Sequence, residues 1–195
     1  MRDGLITGRR IDGLLVAGGR SRRFGSDKRR VSLAGRTLAE RSLALLRATV
    51  DGEVFVAGYG AFDHPVRATF VADADAGAGP LGGLVGALLH ARFGVLVMPC
   101  DAPLVRADTL RAVAKLGRTS GRAIVVRSHR GLEPLVAFYP RRVLPFLAAG
   151  LREGNRALHR LVVRIGALEI GAPDPREMHN VNRPQDLERV ASRIG

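Results

Sequence analysis

An α/β protein, three layers deep around a mostly parallel sheet, is what this sequence of 195 residues predicts. Three observations carry that expectation. Short apolar runs such as Ile11 to Ala17 and Gly94 to Met98 lack polar–apolar alternation, as strands buried on both faces do. Between such runs lie stretches with apolar residues at helical spacing, and strands alternating with helices build parallel sheets. Each of the three stretches richest in chemistry follows an apolar run, and ligands in such sheets sit beyond the carboxyl ends of the strands.

The first run ends in Gly18-Gly19 and then Arg20-Ser21-Arg22-Arg23-Phe24-Gly25-Ser26-Asp27-Lys28. Paired glycines let the backbone approach a bound group closely and offer it amide N–H donors. With three arginines and a lysine beside them, the stretch reads as a phosphate loop: the amides of Ala17, Gly18 and Gly19 hold the anion, and Lys28 and Arg23 face it. It is neither of the two commonest kinds. A P-loop has four residues between its glycines and then Lys-Ser/Thr, whereas Gly19 and Gly25 flank five and Lys28 precedes Arg29. The dinucleotide pattern Gly-x-Gly-x-x-Gly is absent as well. The plain alternative is a surface turn with a charged tip.

Thr37-Leu38-Ala39-Glu40 then reads as a capping box opening a helix, with Ala39, Leu43, Leu46 and Val50 on its sheet-facing side and Asp51-Gly52 stopping it. Glu53 to Ala57 and Val66 to Ala72 are expected strands, separated by a turn that contains Gly and Pro. Asp73 to Gly83 is so rich in glycine that it is expected as a loop, running into a helix from about Leu84 to Arg92. Gly94 to Met98 is the next buried strand, and it delivers Pro99-Cys100-Asp101-Ala102-Pro103, a carboxylate held between two prolines. Arg106 to Leu116 is an expected helix with Asp108 in its first turn, where the dipole favours an acid. Ile124 to Val126 and Leu135 to Phe138 are strands, Arg142 to Ala149 and Asn155 to Val163 helices, and Ala167 to Ile170 a short strand. A last helix begins near Pro184, with proline in its first turn, and runs to Ile194.

Length and pattern predict one domain over residues 11–195, preceded by a loose polar tail at 1–10. The tail lacks the apolar stretch of a signal peptide, and no run of about eighteen apolar residues is present to cross a membrane. The single cysteine, Cys100, excludes an internal disulfide framework and suits a reducing cytoplasm. A formal charge of +13 points to an anionic partner. The arginines are spread over nearly every segment, and with seven Phe, two Tyr and no Trp there is little on which bases could stack, which counts against nucleic acid. Lys28 and Lys115 are the only lysines in an arginine-dominated chain, so an ammonium kept at the end of the glycine loop fits a point-charge contact to phosphate.

Asp101, fixed after a buried strand, is the natural Mg²⁺ ligand beside a bound triphosphate, because Mg²⁺ takes one or two carboxylates plus phosphate oxygens. A turn or helix-cap aspartate is the competing reading. His64, His90, His129, His159 and His179 show no metal-ligand spacing, and Cys100 has no catalytic partner in the sequence.

From Val16 to Lys28 the glycine loop resembles the signature of the molybdenum cofactor guanylyltransferase family, with Val16 in place of a leucine and Phe24 in place of a methionine. The resemblance extends through Asp101 with its flanking prolines, Glu133 to Ala137, Gly154 to Leu158 and Asn180 to Pro184, and so spans nearly the whole chain. It implies a Rossmann-like sheet of the nucleotide-diphospho-sugar transferase type and Mg²⁺-dependent transfer of GMP from GTP to molybdopterin or Mo-molybdopterin. Asp101 is then the metal ligand. Val16, Ala17, Gly18, Gly19, Lys28, Asp73, Gly79, Leu81, Gly83 and Asp101 become nucleotide contacts; Asp75 is a nearby rival to Asp73. Arg156, Asn180 and Asn182 are left for the acceptor, with capping of the last helix as the plain reading of the two asparagines. Two departures stand out: Arg183 replaces a threonine, and Ala57-Gly58 stand where the family often has asparagine.

The resemblance also implies a cytoplasmic monomer, with transient contacts to other proteins of molybdenum cofactor biosynthesis and to apo-molybdoenzymes. The rivals are a sister cytidylyltransferase, which tends to have Ala-Ala-Gly where this chain has Ala17-Gly18-Gly19, a sugar-phosphate nucleotidyltransferase, and, remotely, a non-catalytic nucleic-acid-binding protein.

Overall fold

The computed structural model describes residues 8–18, 31–58, 62, 66–71 and 78–193. In chain order these form β1 (Ile11–Val16), a hairpin of β2 (Ser32–Leu33) and β3 (Arg36–Thr37), α1 (Leu38–Arg47), β4 (Val54–Ala57), β5 (Thr69–Val71), α2 (Pro80–His90) and β6 (Gly94–Pro99). Then follow α3 (Ala107–Ser120), β7 (Ile124–Ser128), β8 (Gly131–Pro140), α4 (Leu144–Arg152), α5 (Leu158–Arg164), β9 (Leu168–Gly171) and α6 (Pro184–Ala191).

The main sheet has seven strands in the order β5-β4-β1-β6-β8-β7-β9. All neighbours are parallel except β8, which runs antiparallel to both β6 and β7. The central strands β1 and β6 are apolar along almost their whole length because both faces are covered. One face carries α2, α4 and α5 on a core that includes Leu14, Phe55, Val97 and Tyr139. The other carries α1 and α3 on Ile11, Leu15, Met98, Ile124 and Phe138. The expected three-layer α/β sandwich with a mostly parallel sheet is what the chain forms.

The capping box at Thr37 is present, with the Glu40 N–H donating to the Thr37 hydroxyl at 3.2 Å and the Thr37 N–H donating to the Glu40 carboxylate at 2.8 Å. Several elements differ from expectation. The helix expected from Leu84 begins four residues earlier, at Pro80. Gly82, Gly83 and Gly86 lie inside it and are buried, so there the small residues serve close packing between the sheet and α4 rather than chain irregularity. The β2–β3 hairpin was not foreseen; its strands are two residues each, and its turn uses positive φ at Ala34 and Gly35.

The strand expected over Leu135 to Phe138 is the second half of a ten-residue strand. Register against β7 jumps from Val125–Ala137 to Val126–Glu133, so Pro134, Leu135 and Val136 form a bulge. Proline cannot donate to a ladder, which accounts for its place in that bulge. The Tyr139 hydroxyl donates to the Pro134 carbonyl at 2.7 Å and pins it, and burial pushes the Tyr139 phenol far above its ordinary range.

Within the stretch expected as a loose tail, Arg9 donates to the Arg118 carbonyl at 2.8 Å and lies over the Phe93 ring, and Arg10 donates to the Asp51 carbonyl.

Candidate active site

The parallel strands end on one edge. β1 delivers Val16, Ala17 and Gly18 there, α2 begins there at Gly79 and Pro80, and β6 delivers Cys100 and Asp101. Hydrogen bonds lock these ends together. The Ala17 N–H donates to the Ala57 carbonyl at 2.8 Å, so it closes the sheet and is not the phosphate donor expected from the sequence, and the Cys100 N–H donates to the Val16 carbonyl at 3.0 Å. Ser42 on α1, itself buried, points its hydroxyl at the Cys100 carbonyl at 3.4 Å. Cys100 is buried, as expected of a small core residue.

Ala57 and Gly58 do a job that the sequence did not reveal. Gly58 has φ +121°, and a Cβ there would lie 2.6 Å from the Ala17 carbonyl carbon and 2.7 Å from the Gly18 nitrogen. Only glycine lets the end of β4 lie flat against the start of the glycine loop. Gly19, Arg23 and Lys28 fall outside the described residues, as does Asp73.

On the α2 side, Gly79 is the N-cap residue with φ +63°, and Pro80 fills the first turn, where its missing N–H costs nothing. Gly79 is exposed, whereas Leu81 is fully buried and Gly83 is buried within the helix. Any contact those two make with a ligand is therefore through the main chain or through the shape they allow. The helix N-terminus at this edge carries the positive end of the dipole; Pro80 has no N–H and the Gly82 N–H donates to the Gly79 carbonyl at 3.1 Å.

Asp101 is half-buried just beyond β6. Its carbonyl accepts the Val181 N–H at 2.7 Å, which brings the segment 178–182 onto the same edge. Met178 and Val181 are buried anchors, Asn180 is half-buried and Asn182 is exposed. Glu177, almost fully buried, accepts from the Thr109 hydroxyl at 2.6 Å and from the Arg106 N–H at 3.2 Å, so it docks this segment on the N-terminus of α3. Sequence reasoning passed over Glu177; the signal available was an acid three residues ahead of the paired asparagines.

The N-cap position of α6 falls on Arg183 rather than on either asparagine. Asp186 serves that end instead, accepting from the N–H groups of Asn182 at 2.9 Å and Arg183 at 2.8 Å. Arg156 is exposed between α4 and α5, in a turn closed by the Asn155 N–H on the Gly150 carbonyl. Since β8 ends beside the start of β6, α4 returns across the sheet and leaves that turn toward the carboxyl edge.

Among the described residues, no group of three or more His, Cys, Asp or Glu side chains is placed to hold a metal by itself. A cleft of about 470 Å³ lined by Arg10, Asp12, Glu53, Phe55, His90 and Arg92 lies at the opposite, amino-terminal edge, away from Asp101. Among the described residues, no helix is long and apolar enough to cross a membrane.

A parallel sheet whose first strand end, helix N-terminus and aspartate meet at the carboxyl edge has the ligand site of an open α/β fold, and its family match gives its class as a nucleotidyltransferase. Residues 13–168 match the model of the MobA-like NTP transferase domain. A probable molybdenum cofactor guanylyltransferase of Opitutus terrae is 36% identical over 194 residues, covering 92% of this chain and 94% of its own. The molybdenum cofactor guanylyltransferase of Pseudomonas putida is 34% identical over 181 residues, covering 90% and 94%. Among solved structures, molybdopterin-guanine dinucleotide biosynthesis protein A of Archaeoglobus fulgidus superposes with a TM-score of 0.81 at 23% identity, covering 94% of this chain and 98% of its own. A 2-C-methyl-D-erythritol 4-phosphate cytidylyltransferase of Thermus thermophilus has the same fold, at a TM-score of 0.69, 20% identity and coverage of 93% and 97%. The chain belongs to the MobA-like NTP transferase family.

Proposed function

We propose that the protein transfers GMP from GTP to the terminal phosphate of molybdopterin or Mo-molybdopterin, releasing pyrophosphate. The observation that carries this reading is the meeting of Gly18, Gly79, Asp101 and the Asn180–Asn182 segment on one sheet edge, in a chain whose curated relatives carry that name. A phosphate oxygen of the acceptor attacks the α-phosphorus of GTP, the new P–O bond forms, and the bond to the β-bridging oxygen breaks. Such a displacement asks mainly for positioning and charge neutralisation.

The amides at Gly18 and Gly19 and the N-terminus of α2 orient the triphosphate, the Ala17 N–H being held by the Ala57 carbonyl; Lys28 and Arg23 draw charge from it, and Asp73 contacts the nucleoside. Arg156, Asn180 and Asn182 hold the acceptor phosphate, a cation and neutral donors being what an anionic group needs. The donor set at Asp101 fits Mg²⁺: one hard carboxylate at a strand end, with phosphate oxygens left to complete the shell. When bound there, Mg²⁺ supplies charge neutralisation on the phosphates. The reaction is placed in the cytoplasm, where the lone Cys100 stays reduced.

The experiment is a comparison of GTP, CTP, ATP and UTP, each with Mg²⁺, by thermal shift and by transfer to molybdopterin. Specific binding raises apparent stability, so GTP alone should raise the midpoint and support transfer. A larger shift and turnover with CTP would assign the chain to a cytidylyltransferase role instead, and no shift with any of the four would remove the nucleotide reading.

A further inference from the structure

Between β7 and β8, Ser128-His129-Arg130-Gly131 makes a tight turn at the carboxyl edge. From it the Arg130 guanidinium reaches across to the segment 174–183 and donates to the Met178 main-chain carbonyl. The same guanidinium donates to Glu133 Oε1 at 3.3 Å, and that oxygen also accepts the Ser128 hydroxyl at 2.7 Å. The bulge in β8 turns Glu133 toward Arg130, and Glu133 is the better buried of the two, with 18% of its side chain exposed against 44% for Arg130. Glu133 therefore aims Arg130, and Arg130 in turn holds Met178. Next to them the His129 and His179 rings approach to 6.1 Å, so the turn lies along the segment rather than touching it at one point.

The position of Met178 gives that hydrogen bond its meaning. Met178 closes a short 3-10 turn, its side chain is buried, and the chain then runs extended through His179. Three residues on, the Val181 N–H is held by the Asp101 carbonyl. Asn180 lies between these two fixed points. One anchor comes from the aspartate loop. At the other, Arg130 fixes the Met178 carbonyl where the buried Met178 side chain leaves the main chain, so the fine placement of Asn180 relative to Asp101 involves a side chain that touches no reacting group.

We propose that Arg130 is a positioning residue for the acceptor: by holding the Met178 carbonyl it sets where Asn180 stands relative to Asp101. This rests on the reading of Asn180 and Asn182 as acceptor contacts. Arg130 is exposed, and the buried docking of the segment through Glu177, Met178 and Val181 does not require it, so its loss should alter the reach of the segment without unfolding it.

The test measures guanylyl transfer to molybdopterin at saturating Mg²⁺ for the wild type, Arg130→Ala, Arg130→Lys, Asn180→Ala and Asn182→Ala, with thermal midpoints in parallel. Arg130→Ala should raise the KM for molybdopterin by about 10- to 100-fold, the scale of one lost charged hydrogen bond, and leave the KM for GTP and the midpoint unchanged. Arg130→Lys should recover part of the loss, because an ammonium can still donate to the carbonyl but sits on a shorter, more flexible stem without the planar guanidinium. An unchanged acceptor KM, or both KM values rising together with a lowered midpoint, overturns the positioning role. If the two asparagine variants also leave the acceptor KM unchanged, the acceptor reading itself fails and takes this inference with it. If they raise it and Arg130→Ala does not, only this inference fails.

Discussion

The Val181 N–H donates to the Asp101 carbonyl over 2.7 Å, joining the loop that carries the candidate metal ligand to the segment that carries the candidate acceptor contacts. The bond is between main-chain atoms, so it survives any change of the aspartate side chain. The two halves of the site thus share a reference point whose geometry does not depend on what the carboxylate binds.

Asp101→Asn separates these roles. The variant keeps the main-chain bond to Val181, and its thermal midpoint should match the wild type in the absence of ligands. Mg²⁺-dependent transfer should fall by about 100-fold or more, the scale seen when one preorganised electrostatic contact is removed. Steady-state rates across a Mg²⁺ titration check this; near-normal rates would reject the ligand role.

Gly58→Ala probes the seam between β4 and the glycine loop. A methyl group there meets the Ala17–Gly18 peptide at 2.6–2.7 Å, in a backbone conformation that only glycine adopts freely. The expected cost is about 1–3 kcal/mol of stability, with a weakened response to GTP because the Gly18 amide is displaced. Chemical denaturation together with a GTP thermal shift measures both. A variant with wild-type stability and GTP response would mean that the two loops can part without consequence.

Asp12 gives a pH-dependent prediction at the far edge of the sheet. Burial raises its pKa, chiefly by desolvation, although its carboxylate accepts the Glu53 N–H at 2.8 Å. A carboxyl whose folded pKa lies above its unfolded value binds more protons when folded, so stability falls as pH rises through the window between the two, and the full penalty is present at neutral pH. Asp12→Asn keeps an acceptor for Glu53 and removes the charge. Its midpoint should exceed that of the wild type at pH 7, and the gap should close as the pH is lowered through the carboxylate range. A gap that is constant with pH would show that the effect is not electrostatic.

Much of this molecule could be read from residue order because its signals are local. The capping box at Thr37, the unbroken apolar runs of β1 and β6, and the aspartate held after β6 each need only near neighbours. What stayed hidden depends on distant partners. The glycines of α2 look like a loop until the sheet and α4 are seen on either side of them. Ala57 and Gly58 look like a missing asparagine until the Ala17 N–H is found on the Ala57 carbonyl. Arg130 belongs to an ordinary charged turn until its guanidinium is found on Met178.

The segment that carries the candidate acceptor contacts is fastened differently from the sheet beside it. Beyond β9, Met178 still reaches the core under α1 and α3, but α6 and Val181 rest on a small cluster in which Val181 and Val190 meet Leu33 and Leu38, while the two large cores lie on either face of the strands. A region with so little apolar area of its own can open without the rest, because its opening free energy is only a fraction of the global one. If the segment holds the acceptor, heating should silence transfer reversibly at temperatures where the sheet is still intact, and the docking of α6 should set the working ceiling.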